Sequence, residues 1–242
     1  YFVSAKVADG SRNVNAFDNA GNQIARYRVH TTGLELGFGR EFGTWGEGRL
    51  GYRRASGTAE VSIGEQVPEV DADRGEIFVR LSDDKLDSLY FPREGHLGTL
   101  EYRASRERYG STTDYDQWLF NYVHAFSWGA NAIVGTLSGG TTADDNAPLE
   151  GLFQLGGLFR LSGLQEDQLT GQHLGLIELV YMRRLTNVRF FKTYAGISLE
   201  TGNVWQRSED ISFDNTILAG SVFLGFDTPI GPLYLGYGRT DT

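Results

Sequence analysis

The chain has 242 residues, no cysteine, a formal net charge of -9 and 13% aromatic residues. Without cysteine there is no disulfide, thiolate nucleophile or thiolate metal site, and the acidic balance excludes a general basic surface for nucleic acid, so no nucleic-acid partner is expected. Glycine is frequent at 32 while proline stands at 5 and methionine at 1, with 12 Tyr and 15 Phe; this mixture favours strands and tight turns, and no apolar run approaches the roughly 20 residues of a spanning helix.

Strands are read from apolar positions that recur at every second residue. No basic patch followed by an apolar core lies at Tyr1, so a processed signal or, by preference, an upstream domain is expected before it. Residues 10–22 read as a long loop. Between Ile24 and Arg40 the apolar parity changes, from Tyr27 and Val29 to Leu34, Leu36 and Phe38, which predicts a bulge near Gly33. Gly37-Phe-Gly-Arg-Glu-Phe-Gly43 lacks the helix that a nucleotide loop requires, so its glycines belong to a strand and a turn. Phe42-Gly-Thr-Trp-Gly46 is a short turn and residues 56–73 a long loop. That loop ends in Asp71-Ala-Asp-Arg-Gly-Glu76, three carboxylates without the full calcium-loop pattern, for which a solvated loop is favoured over a cation site.

Ile77, Val79 and Leu81 then alternate with Phe78 and Arg80, and Trp118, Phe120, Tyr122 and Phe126 with Gln117, Leu119 and Asn121. Trp118 and Phe126 are candidates for two aromatic girdles. Ser127-Trp-Gly-Ala130 is a short turn and residues 140–172 a long loop. The segment from His173 to Arg184 resists orientation, because Leu176 and Glu178 share a parity. After the short Leu185-Thr-Asn187, Phe191, Ala195, Ile197 and Leu199 oppose Lys192, Tyr194, Gly196, Ser198 and Glu200. Beyond a long loop at 205–214, Leu218, Val222, Leu224 and Phe226 oppose Ser221, Gly225 and Asp227. Asp227-Thr-Pro-Ile-Gly-Pro232 is a tight turn, and Leu233, Leu235 and Tyr237 oppose Gly236 and Gly238.

The sum is an all-β chain of about eleven strands whose connections alternate short and long, the signature of an antiparallel transmembrane β-barrel. A soluble sandwich would place the same apolar faces inside, and alternation alone does not distinguish the two. The number of long strands, and polar faces rich in Gly, Ser and Tyr, favour the barrel. Phe191, Ile197, Leu199, Leu218, Val222, Leu224, Leu233 and Leu235 are accordingly expected to face lipid. His30, His96, His124 and His173 lie far apart on different strands without metal-ligand spacing and are read as polar strand positions. No Gly-x-Ser-x-Gly elbow occurs, so no catalytic residue, metal or cofactor is assigned and the chain is expected to be no enzyme.

Several further segments carry a resemblance. Asp87-Ser-Leu-Tyr-Phe-Pro-Arg-Glu-Gly95, with Phe91, Pro92 and Gly95, resembles the periplasmic turn of the outer-membrane assembly and translocation superfamily, the bacterial surface antigen family. Leu155-Gly-Gly-Leu-Phe-Arg-Leu-Ser-Gly-Leu164 resembles that family's long loop, which folds back into the lumen, and Glu178 and Arg183-Arg-Leu185 follow at the family's spacing. The usual loop tip is Val-Arg-Gly-Phe or Val-Arg-Gly-Tyr; here Leu161-Ser162-Gly163-Leu164 stands in its place and the arginine is absent. This variant is similar to patatin-like phospholipases that carry their own translocator barrel, as are Tyr194-Ala-Gly-Ile-Ser-Leu-Glu-Thr-Gly-Asn-Val-Trp205 and Phe223-Leu-Gly-Phe-Asp-Thr-Pro-Ile-Gly-Pro-Leu-Tyr-Leu-Gly-Tyr237.

The resemblance implies that residues 1–242 are the C-terminal barrel of a type V secretion protein, in the bacterial outer membrane, lacking the first few strands and the last strand of sixteen. It implies export of an attached patatin-like passenger, with a barrel insertase as the alternative and a passive porin as a weaker one. The implied partners are outer-membrane lipid and lipopolysaccharide, the covalently attached passenger and the barrel assembly machinery. It also implies a lumen-loop motif of Gly156, Gly157, Arg160, Ser162 and Gly163. Arg160 is the residue expected to replace the missing arginine by reaching Glu178 or Glu200, since a guanidinium holds a carboxylate through a fixed fork of donors. The competing reading makes it a surface arginine.

Overall fold

The computed structural model describes residues 1–17, 23–63, 70–71, 73–186 and 191–241. Eleven long strands follow one another in a single antiparallel wall: β1 (Phe2–Phe17), β2 (Gln23–Glu41), β3 (Glu47–Ile63), β4 (Arg74–Asp84), β5 (Gly95–Ser105), β6 (Tyr115–Trp128), β7 (Asn131–Thr142), β8 (His173–Arg184), β9 (Lys192–Trp205), β10 (Ile217–Thr228) and β11 (Gly231–Thr240). Each pairs with its sequence neighbours, and β1 and β11 do not pair with each other. Val70–Asp71 adds a short rung to β3. Among the described residues no helix is long and apolar enough to cross a membrane.

The wall is inside out compared with a soluble sandwich. Leu199 is 57% exposed and Leu235 67%, while Glu76 and Glu200 are wholly buried. Burial of the polar face against exposure of the apolar one is what a lipid solvent selects. All eight side chains expected to face lipid are exposed on the outer face. Trp118 and Phe126 point outward as well; Trp118 packs on Tyr102 near the loop end, and Phe126 lies beside Trp128 at the turn end. Strands β4 to β11 run 10 to 14 residues, close to the roughly 9–11 that a tilted strand needs to cross a bilayer.

Strands β1 to β3 are longer, and here the sequence reading needs correction. Residues 10–17 and 56–63 are strand, not loop. Their pairing continues beyond the apolar band through polar cross-strand contacts: Thr32 Oγ1 donates to Asp9 at 2.9 Å, and Ser11 Oγ and His30 Nδ1 are 3.0 Å apart. Apolar alternation ends where lipid ends, so it carried no signal there. No bulge occurs at Gly33, which pairs in unbroken register with Ala8 and Ala55; the irregularities fall at Ala16/Phe17 and Arg26/Tyr27. The side chains of Tyr27, Val29 and Asp71, and the whole of Ala72, lie outside what is described. His96 and His124, read as far apart, are directly paired across β5 and β6 with ring centroids 6.4 Å apart.

The wall curls toward its own polar face. Neighbouring strands lie about 4.8 Å apart, so four to six spacings would separate β5 from β9 and β11 by roughly 20–30 Å on a flat sheet. Yet Phe91, in the turn between β4 and β5, stacks on Tyr194 of β9 at 4.6 Å and leans on Tyr234 of β11 at 5.0 Å. This explains why β8 resisted orientation. Val180 and Met182 face inward, but onto the Phe91 cluster, and Leu176 faces inward onto Leu155 and Leu161. An interior filled by protein admits apolar side chains that a water-filled one would reject.

Space for Phe91 is made by a missing side chain: a Cβ on Gly225 would lie 2.4 Å from its ring. Gly225→Val is therefore expected to expel the turn and cost about 1–3 kcal/mol, as overpacking does, read as an earlier urea midpoint for the folded barrel. An unchanged midpoint would show that the turn is not seated there.

Candidate functional site: the loop in the lumen

Residues 143–172 connect β7 to β8 and fold back over the polar face as a short hairpin, Phe153–Leu155 against Leu169–Gly171. Its stem is fixed by amide side chains. Gln172 Nε2 donates to Ala147 O and Ala147 N returns a bond to Gln172 Oε1, while Gln117 Nε2 donates to Gly151 O at 2.8 Å. A second tie joins this loop to the one after β9: His173 Nε2 contacts Asp145 Oδ1 at 2.5 Å and Ser208 N donates to Asp145 Oδ2 at 3.1 Å. The Ser208 N–H and the His173 ring hold the Asp145 carboxyl below its ordinary pKa, against the opposing effect of desolvation.

The tip turns through backbone that few residues adopt. Gly156, Gly157 and Gly163 have φ of 136°, 106° and 111°, and Phe159 and Leu161 follow with φ of 66° and 68°. Two non-glycine residues in the left-handed region within three positions store strain that the surroundings must hold. What holds it is Glu200 on β9. Ser162 N donates to Glu200 Oε2 at 2.5 Å and Ser162 Oγ to Oε1 at 2.7 Å. Ser198 Oγ also donates to Glu200, and sits 2.6 Å from Ser221 Oγ on β10. Glu200 thus accepts three hydrogen bonds in a fully buried position, so its buried oxygens have the partners that burial demands.

The tip also touches the last strand. A Cβ on Gly238 would lie 2.6 Å from Ser162 Cβ, and one on Gly163 would lie 2.7 Å from the backbone of Arg239. Two glycines facing each other bring loop and strand backbones into contact.

The structure corrects the expectation for Arg160. Its Nη2 donates to Gln154 O at 2.6 Å within its own hairpin, the side chain is exposed, and no carboxylate among the described residues pairs with it. It borders an open cavity of about 760 Å³ lined also by Arg80, Glu101, Arg103 and Asp167. Ser162, at the arginine position itself, makes the contact to the wall. Of the two carboxylates singled out, Glu200 is engaged by the loop, and Glu178, paired with it across β8 and β9, is not. Phe91, Pro92 and Gly95 do form the turn between β4 and β5; a Cβ on Gly95 would lie 1.9 Å from Lys85 O, which is why the chain reverses on glycine.

Sequence reasoning missed the charge ladder on the inner face of β2 to β5. Arg53 pairs with Glu35 at 2.7 Å and with Glu76, and Glu101 takes Arg80 and Arg103. The signal was present as charges of inward parity opposite one another in register, Glu35–Arg53–Glu76 and Arg80–Glu101, but register is not legible before strands are paired. Among the described residues no group of His, Asp or Glu is set to hold a metal ion.

An antiparallel wall, apolar outside and charged inside, with an anchored loop on its concave face, defines a transmembrane β-barrel of the outer-membrane kind. Residues 3–240 match the Omp85 superfamily domain, and the chain belongs to the Omp85 superfamily. Its fold is similar to the crystal structure of BamA from Haemophilus ducreyi lacking POTRA domains 1–3, with a TM-score of 0.74 and 13% identity over 99% of this chain. The chain spans about half of that structure's length, 56%. No curated protein matches the chain. The chain is a barrel wall of the bacterial outer membrane.

Proposed function

We propose that this chain is the larger part of a sixteen-stranded translocator barrel of type V secretion, which exports an attached N-terminal patatin-like passenger and performs no hydrolysis itself. The observation that carries this reading is the loop tip: Ser162 replaces the usual arginine and binds Glu200 directly through its backbone N–H and hydroxyl. That variant was the one similar to patatin-carrying translocators. A shorter, neutral tip leaves Arg160 and the ladder of Arg80, Glu101 and Arg103 facing the open interior, a wet polar wall along which an extended chain is able to pass. Lipid, lipopolysaccharide and the barrel assembly machinery are its partners during insertion.

The test is made in cells that produce the whole protein. Gly163→Val, whose side chain collides with Arg239, is expected to lower protease-accessible passenger at the cell surface at least tenfold. Deleting the protein is expected to leave the levels of unrelated outer-membrane barrels unchanged. A general fall in those barrels on deletion would instead make it an insertase.

A further inference from the structure

Between the turn carrying Phe91 and the lumen loop lies a half-open cavity of about 270 Å³. Its walls are apolar and strongly aromatic: Phe91, Phe159, Phe223 and Tyr234 surround it, with Val180 and Met182 from β8. Phe159 meets Phe223 edge-on at 4.9 Å and Tyr234 at 5.4 Å, and Tyr234 Oη donates to Tyr90 O at 2.6 Å, so the rings are locked in position. A single acidic side chain lines this space, that of Glu178. Thr136 stands opposite it on β7 and lines the same space, and among the described residues no Lys or Arg forms an ion pair with it. Its register neighbour Glu200 is saturated by the loop and offers no positive charge.

A carboxylate in an apolar chamber requires a cation or a proton. Aromatic faces supply what an organic cation wants besides a counter-charge, because the ring quadrupole attracts ammonium groups most strongly when they are desolvated. We propose that this chamber is a binding site for an organic ammonium on a short apolar stem, with Glu178 as counter-ion and Phe159, Phe223 and Tyr234 as its cage. Two sources have this chemistry, a lysine side chain of a polypeptide in the lumen and a free alkylamine. The site stands independently of the translocator reading.

The experiment uses the full-length protein folded in detergent, titrated calorimetrically with n-butylammonium at neutral pH and then with its uncharged counterpart n-butanol. Saturable binding of the ammonium, at least tenfold tighter than that of the alcohol, is expected. The Glu178→Gln variant, with unchanged heat-modifiable gel mobility, is expected to lose that preference. Equal binding of alcohol and ammonium, no saturable binding, or a preference that survives in Glu178→Gln would overturn the proposal. If the variant does not fold, the comparison of ammonium with alcohol on the unaltered protein decides alone. A short unstructured peptide with one lysine, set against the same peptide with norleucine, separates the sources. Lysine-dependent competition with n-butylammonium assigns the site to polypeptide, and its absence assigns it to free amines.

Discussion

Replacing Glu200 with Ala is expected to cost the folded barrel about 2–6 kcal/mol, about 1–3 for each of the two buried Ser162 donors left without an acceptor. Two donors of Ser162, its N–H and its hydroxyl, lose their acceptor at once, and hydrogen bonds to a charged group are worth about 1.5–3 kcal/mol each. Ser198 loses one of its two partners and keeps Ser221. Because Phe159 and Leu161 sit at positive φ only while the tip is held, release of Ser162 should let the strand-to-loop contact at Gly163 and Gly238 open as well. The effect would appear twice: as a lower urea midpoint in lipid vesicles, and as new protease cleavage between residues 156 and 166. Glu200→Gln, which keeps one acceptor, should lie between the two. A Glu200→Ala barrel with an intact loop and an unchanged midpoint would show that the tip is held by something other than this carboxylate.

The second large effect is expected one residue away, on the opposite face. Leu199→Arg should destabilise the barrel by about 2–4 kcal/mol, the cost of a charge presented to the middle of the bilayer. The contrast is the point. Adjacent residues in one strand have opposite requirements, because Leu199 is exposed to acyl chains and Glu200 is enclosed with its three donors. In detergent micelles, where the charge reaches water more easily, the Leu199→Arg penalty should shrink while the Glu200→Ala penalty persists. A penalty that is the same in both media would place Leu199 in a protein interior.

How far the sequence spoke for itself depended on the solvent each strand faces. In β9 to β11, lipid lies on one side and loop or water on the other, so alternation marked the apolar outward positions, Ile197, Leu199, Val222 and Leu235 among them. In β8 the inner side is covered by the lumen loop and the Phe91 turn, and Leu176, Val180 and Met182 erased the alternation. In β1 to β3 the strands continue past the apolar band, where Asp9 meets Thr32 and Ser11 meets His30, and such polar pairs mark no face in a sequence. Within the site, residue types pointed to the loop and to Glu200, but not to which donor reaches it. Arg160 has the stronger chemistry for a carboxylate. The left-handed backbone at Phe159 and Leu161 instead aims Ser162 at the wall and leaves Arg160 beside Gln154, a direction that composition does not encode.

One face of this wall meets lipid and the other encloses the loop. The chain contains no cysteine, so single cysteines are unambiguous sites for spin labels. The decisive measurement compares collision rates with oxygen, which partitions into bilayers, for labels at Ile197, Leu199 and Val222 and at Ser198 and Ser221, in the protein folded into lipid vesicles. High oxygen accessibility at the first three and low accessibility at the two serines, alternating residue by residue through 197, 198 and 199, is the predicted result. Accessibility that does not alternate, or that is high at the serines and low at the aliphatic positions, would contradict the inside-out barrel.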